Sequence, residues 1–472
     1  MRHLKYAFLC VLVSAAFLCA QESPELKIDK LFAKFPANAP GCAVGAMQNG
    51  KVLFTRAYGL ADMEHNVPLS SSSPVYMASV SKQFTAMAIL LLAEDGKLQL
   101  TDTIRKTIPE LPQYADAITI YQLLNHTSGV RDYLTLHSIA GLPYETVHTD
   151  EGALRLIASQ DGPNFEPGSE FLYSNSGYFL LSQVVKRVSG KNLNAFAQER
   201  IFGPLGMKST RFQHDHTFLI PGKAFGYSLD RDGWHVANNV SDVVGAGGMY
   251  STVEDMLRWA ANFEEPRIGA KALEVMQTNS TLRNGKSIGY GMGLGFIVYG
   301  GIRIIEHGGG VPGYSTEFVR VPDQKFSVVS LCNQGSTNPM VLFIEVAQAY
   351  LSAETWRDMI QSISSVKTET ATATAVAPTP PPQISAEQQK EYIGDYYSKE
   401  LEATYRVLMH QGVLAIQVGN RPPARLLSKG TDSWQVWGGP TDVIFQRDAS
   451  GKITGFLLNS GRVLGVRFLL RN

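Results

Sequence analysis

Two kinds of apolar pattern alternate along the chain. Residues 42–47 and 52–57 are short apolar runs joined by Asn49-Gly50, a pair suited to the positive φ angles of a tight hairpin turn, and they predict a β-hairpin. From 80 to 93 the apolar positions fall on nearly every face, with Gly96 following as a cap. That pattern predicts a helix lying inside the domain. Helical patterns return at 177–188, 194–200 and 253–263, and strand patterns at 302–306, 316–321 and 326–332. Hairpin, helices and then strands again is an α+β order, in which the first and last strands can share one antiparallel sheet.

The C-terminal part is patterned differently. Short strand-like runs at 392–397, 405–409, 413–417, 425–427, 433–436, 443–446, 453–458 and 463–469 are separated by turn residues, which predicts a small antiparallel all-β barrel. Between the two patterns, residues 366–383 read VKTETATATAVAPTPPPQ, too poor in apolar side chains to order themselves. The expected organisation is a first domain over 24–365, a Thr/Ala/Pro-rich linker at 366–384 and an accessory barrel over 385–472. At the N-terminus Arg2, His3 and Lys5 precede an apolar run at 6–19 and then Ala20, the layout of a signal peptide over 1–20. The chain is therefore expected to be exported, periplasmic or secreted, with no transmembrane segment once the signal is removed.

Charge narrows the partner. Lys+Arg and Asp+Glu both number 42 in 472 residues, so no basic excess points to nucleic acid. A small molecule or peptide is the expected partner, and the sequence leaves the oligomeric state open. The glycine-rich stretch 289–295 does not fit a dinucleotide fingerprint, and His214-Asp215-His216 reads as a solvated loop, so no cofactor and no metal are expected. Of four cysteines, Cys10 and Cys19 fall in the signal. Cys42 and Cys332 lie in apolar strand runs and can bridge in an oxidising compartment, although buried free thiols are the commoner state. Neither is expected to be catalytic.

Three short motifs carry chemistry. Ser79-Val80-Ser81-Lys82 places a hydroxyl and an amine on one face at the start of the buried helix, where desolvation lowers a lysine pKa enough to make it a base. A second match, Ser364-Ser365-Val366-Lys367, sits at the mouth of the linker and is set aside. Tyr173-Ser174-Asn175 pairs a phenol for proton transfer with an amide for holding substrate. His307-Gly308-Gly309-Gly310 ends the 302–306 strand, and its glycines let backbone approach a substrate. His410-Gln411-Gly412 is read as a hairpin turn, and His126 as a structural, hydrogen-bonded residue.

In this order, S-x-x-K, Y-x-N and H-x-G resemble the serine β-lactamase and penicillin-binding protein superfamily. The match is nearest the class C β-lactamase-like branch, with its D,D-carboxypeptidase, D-aminopeptidase and esterase relatives. Leu123-Leu124-Asn125-His126-Thr127-Ser128-Gly129, Pro204-Leu205-Gly206-Met207 and Gly247-Gly248-Met249-Tyr250-Ser251-Thr252 resemble that branch too. The resemblance implies a β-lactamase-like fold and a cofactor-free serine hydrolase. Ser79 would be acylated, Lys82 would serve as base, and Tyr173 would act with Lys82 in proton transfer. Asn175, His307 and Gly309 would contact substrate, while the N–H groups of Ser79 and Gly310 would form the oxyanion hole. The barrel is similar to accessory domains carried by such hydrolases.

One departure shapes the expected substrate. His307-Gly308-Gly309 stands where β-lactamases have K-T-G, and a histidine is only partly charged near neutral pH. D-amino-acid peptides, cleaved in carboxypeptidase or aminopeptidase fashion, are the favoured substrates. A β-lactamase or small-ester esterase of the same fold is the alternative, and a non-catalytic sensor of cell-wall peptides is the alternative of another class. Loops 133–147 and 211–225 are expected to set specificity.

Overall fold

The computed structural model describes residues 23–143, 146–299, 301–352 and 384–471. The expected signal and residues 366–383 of the expected linker lie outside the described residues. The predicted hairpin is β1 (Cys42–Gln48) and β2 (Lys51–Tyr58), with Asn49 and Gly50 at φ of 49° and 73°. Later in the chain, β3 (Gly295–Tyr299), β4 (Ile302–Val311), β5 (Tyr314–Val321) and β6 (Phe326–Cys332) run antiparallel. β6 returns beside β1, giving a six-stranded sheet in the order β3-β4-β5-β6-β1-β2.

Helices cover both faces of that sheet, which is why β1, β5 and β6 are buried along almost their whole length. On one face Ile28 and Phe32 of α1 (Pro24–Phe32) and Phe343 of α5 (Pro339–Tyr350) share a core with Val44 and Val328. On the other face α2 (Lys82–Glu94), α3 (Asn175–Ser189) and α4 (Val253–Glu264) contribute to the larger core. A Cβ on Gly45 would lie 2.4 Å from Val253 Cγ1, so glycine lets α4 press directly on β1. Every residue of α2 from Lys82 to Leu92 is buried, as its all-round apolar pattern predicts.

The sheet corrects two expectations. Its register places Cys42 opposite Cys332 with Cα atoms 4.0 Å apart, and their sulfurs are bonded rather than free. The two become neighbours only when β6 returns to β1, across a sequence separation of 290. Reducing the bond, or replacing both cysteines by serine, is expected to cost about 2–4 kcal/mol of stability. The denaturant midpoint with and without reductant measures this, and an unchanged midpoint would contradict it. Second, the strand expected to end at Glu306 continues through the glycines to Val311, because Gly308, Gly309 and Gly310 pair with Glu317, Thr316 and Ser315 of β5.

The C-terminal strands close into a barrel of eight, and each predicted strand is present. They are β7 (Gly394–Ser398), β8 (Ala403–His410), β9 (Val413–Val418), β10 (Ala424–Gly430), β11 (Ser433–Val436), β12 (Thr441–Arg447), β13 (Ile453–Ser460) and β14 (Val463–Leu470). The barrel core does not stop at the barrel. Leu136 and Ile139 of the helix Tyr133–Ile139 pack into the same cluster as Tyr396, Tyr405 and Phe468. Tyr405 Oη donates to the Ile139 carbonyl at 2.7 Å, and Arg131 forms a buried ion pair with Glu400.

Candidate active site

The nucleophile candidate sits on a strained turn. Residues Ala78–Ser81 form a 3₁₀ turn and α2 begins at Lys82, two residues later than the apolar pattern suggests. Ala78 has φ of 45°, a costly backbone for a residue with a Cβ, and Ser81 Oγ donates to the Ala78 carbonyl at 2.6 Å. The turn directs Ser79 into a cavity of about 950 Å³ also lined by Tyr173, Asn175, His307 and Gly310.

Lys82 lies beneath Ser79, fully buried. Its Nζ is 3.1 Å from Ser79 Oγ, 2.9 Å from Asn175 Oδ1 and 2.7 Å from the Ala246 carbonyl oxygen. Burial holds its pKa well below the ordinary lysine value; the Asp132 carboxylate pulls the other way and the Arg462 guanidinium lowers it further. Asn175 is the first residue of α3, and its backbone N–H donates to Asp132 Oδ2 at 2.7 Å. The start of α3 is thereby tied to the residue that caps the helix Tyr133–Ile139.

Tyr173 completes the group. The Lys82 ammonium position is 4.8 Å from its ring centroid, and burial pushes its phenol above the ordinary value despite a hydrogen bond with Ser79 and the positive charge of Arg462. Behind it, the His126 ring lies 4.2 Å away, and His126 Nδ1 accepts from the Ser174 N–H at 3.1 Å. His126 thus has the structural surroundings its sequence position suggests.

The glycine strand closes the opposite wall. A Cβ on Gly309 would sit 2.5 Å from the Met77 carbonyl oxygen and 3.0 Å from the Ser79 nitrogen, so β4 backbone lies directly against the nucleophile's turn. His307 differs from expectation in its charge. It is buried, and burial together with Lys82 pushes its pKa down to about 3, so the ring is neutral rather than partly charged. Its Nε2 is 3.0 Å from Tyr290 Oη, whose pKa burial raises, so the phenol is the donor. His307 Nδ1 then donates to the Gly308 carbonyl at 2.7 Å.

All the residues singled out from the motifs therefore meet at one place. The loop at 133–147 reaches the cavity through Tyr133 and Leu134, but among the described residues 211–225 does not line it. Ser228, Val236, the segment at 237–241 and Val243 take that wall. Sequence reasoning missed Asp132, the Ala246 carbonyl and Arg462. Asp132 carries a helix-capping signal before Tyr133, whereas Arg462 beside Gly461 shows only a hairpin tip.

Comparison with known proteins gives the family and the fold. Residues 28–351, more than half of the chain, match the Beta-lactamase family. Penicillin-binding protein 4* of Bacillus subtilis (strain 168) is 31% identical over 309 residues, covering 61% of this chain and 67% of that protein. A D-aminopeptidase of Brucella anthropi is 24% identical over 498 residues, 91% of this chain and 95% of its own. An octameric penicillin-binding protein homologue from Pyrococcus abyssi superposes with a TM-score of 0.59 at 20% identity, covering 95% of this chain and 99% of that one. A D-amino acid amidase from Ochrobactrum anthropi SV3 does so with a TM-score of 0.57 at 23% identity, over 73% and 99%. The chain belongs to the Beta-lactamase family, a family of serine hydrolases.

Proposed function

We propose that the protein is an exported hydrolase that cleaves the amide bond of D-amino-acid peptides through an acyl-enzyme on Ser79. The observation that carries this reading is the environment of the Lys82 amine. A neutral amine has two hydrogens and one lone pair. Asn175 Oδ1 and the Ala246 carbonyl take the two hydrogens, which leaves the lone pair facing Ser79 Oγ. Burial favours that neutral form, so Lys82 is prepared to accept the serine proton.

The geometry supports the following sequence of steps. Ser79 Oγ attacks the substrate carbonyl carbon as Lys82 takes its proton, and the carbonyl oxygen becomes an oxyanion facing the N–H groups of Ser79 and Gly310. The C–N bond then breaks. Tyr173, kept protonated by burial, gives its proton to the departing amine and is reprotonated from Lys82. Water attacks the ester by the same route in reverse and releases the acid. Asn175 both fixes Lys82 and borders the cavity, while the neutral His307 ties the glycine strand to Tyr290. The D-peptide substrate class is supported by the names of the relatives, among them a D-aminopeptidase and a D-amino acid amidase.

Intact mass after incubation with a penicillin tests the nucleophile. An adduct of drug mass is expected on the wild type and none on Ser79→Ala. A long-lived adduct fits a peptidase, and a short-lived one with drug consumed would assign a β-lactamase instead. Labelling of Ser79→Ala to the same extent would sink the assignment of Ser79.

A further inference from the structure

The cavity has an uneven charge. Among the described residues that line it there is no aspartate or glutamate, and Arg462 is the one arginine or lysine. Lys82 is buried beneath Ser79, and the His307 ring is neutral with both nitrogens engaged. Arg462 does not belong to the hydrolase fold. It lies at the tip of the hairpin between β13 and β14 of the barrel, next to Gly461 at φ 52°.

Its placement is held from several sides. The Arg462 carbonyl accepts from Asn164 Nδ2 at 3.0 Å and from the Asp132 N–H at 3.5 Å, and the Leu464 N–H donates to Asn164 Oδ1 at 2.8 Å. Asp132 is the residue that also accepts from the Asn175 N–H, so one residue links the barrel tip to the substrate-holding asparagine. The guanidinium lies 4.6 Å from the Tyr173 ring centroid, and among the described residues it makes no ion pair and no hydrogen bond. An arginine anchored through its backbone and left with free donors over a cavity is matched to an anion with oxygen acceptors.

We propose that the barrel completes the active site, with Arg462 binding the free carboxylate of the substrate residue that departs. The side of the cavity follows from Tyr173, the proton donor to the departing amine under the proposed function on which this inference rests. In a peptide that amine and its carboxylate are separated by a single carbon, so a carboxylate on the departing residue falls beside Tyr173, where Arg462 stands. A free ammonium group on the residue that acylates Ser79, as aminopeptidase cleavage requires, finds no carboxylate among the described lining residues to pair with it. The cavity therefore favours carboxypeptidase-type over aminopeptidase-type cleavage.

Calorimetric titration of the full-length Ser79→Ala chain tests this without turnover, using N-acetyl-D-alanyl-D-alanine and its C-terminal carboxamide as probes. The acid is expected to bind about 10–100-fold more tightly than the amide, the range of one charge-assisted contact. Adding Arg462→Ala is expected to abolish the preference, Arg462→Lys to keep part of it, and Arg462→Glu to reverse it. Arg462 is exposed, and unchanged melting temperatures will show that these variants fold. Equal binding of acid and amide, an acid preference that survives Arg462→Ala, or binding of neither probe overturns the proposal. The two readings fail separately. Discrimination through Arg462 without any acyl-enzyme in the wild type refutes the hydrolytic function alone, whereas acylation without discrimination refutes the role of Arg462 alone.

Discussion

With Lys82→Arg, acylation of Ser79 by a penicillin or a D-peptide slows by about 10²–10⁴-fold, the usual contribution of a positioned base. Arginine keeps its proton at every working pH, so no lone pair faces Ser79 Oγ. The sign of the pH dependence follows from the same group. Protonating Lys82 removes the base, so acylation by the wild type rises with pH through the Lys82 pKa and then levels off. Burial holds that pKa well below the ordinary lysine range, so the plateau is reached where a surface lysine is still charged. Tyr173 does not supply the limb, because burial shifts its phenol upward. Lys82→Met, which fills the buried site without an amine, is expected to lose both rate and limb. Stopped-flow acylation rates across pH give the answer, and an acidic limb persisting in Lys82→Met would assign it to another group.

Glu400→Ala is expected to destabilise the protein by about 3–5 kcal/mol, the cost of leaving a buried ion without its partner. Glu400 and Arg131 are 4% and 6% exposed, and each is engaged on further sides. Arg131 Nη1 also donates to Gln160 Oε1 at 2.9 Å, while Glu400 accepts from the Asp161 N–H at 3.0 Å and the Arg467 N–H at 3.2 Å. Removing the carboxylate strands a guanidinium between the barrel and the hydrolase fold. Replacing both partners by apolar residues of similar size, Arg131→Met with Glu400→Leu, should recover much of the loss, because no buried charge is then left over. Urea unfolding of the three chains measures this. A Glu400→Ala chain within about 1 kcal/mol of wild type would show that the pair contributes little. Since Asp132 and Arg462 adjoin this contact, the same variant is expected to weaken the acid-over-amide preference while Ser79 stays acylatable.

What the sequence determined by itself was whatever is encoded locally. Asn49-Gly50 dictates its hairpin, the all-round apolar run dictates that α2 is buried, and a lysine three residues from a serine at that helix's start is already beside it. The eight barrel strands are legible for the same reason, since alternation and turn residues need no distant partner. Properties that depend on who meets whom were decided only by the tertiary structure. Cys42 and Cys332 bond because β6 returns to β1. The glycine strand runs on to Val311 because β5 offers it partners, and His307 is neutral because burial outweighs its intrinsic basicity. Arg462 stands 383 positions after Ser79, and only the docking of one domain's hairpin tip on another's helix cap brings its charge over Tyr173. Local pattern fixes backbone conformation and burial, but side chains from distant segments are brought together by packing, and that carries no short-range signal to read.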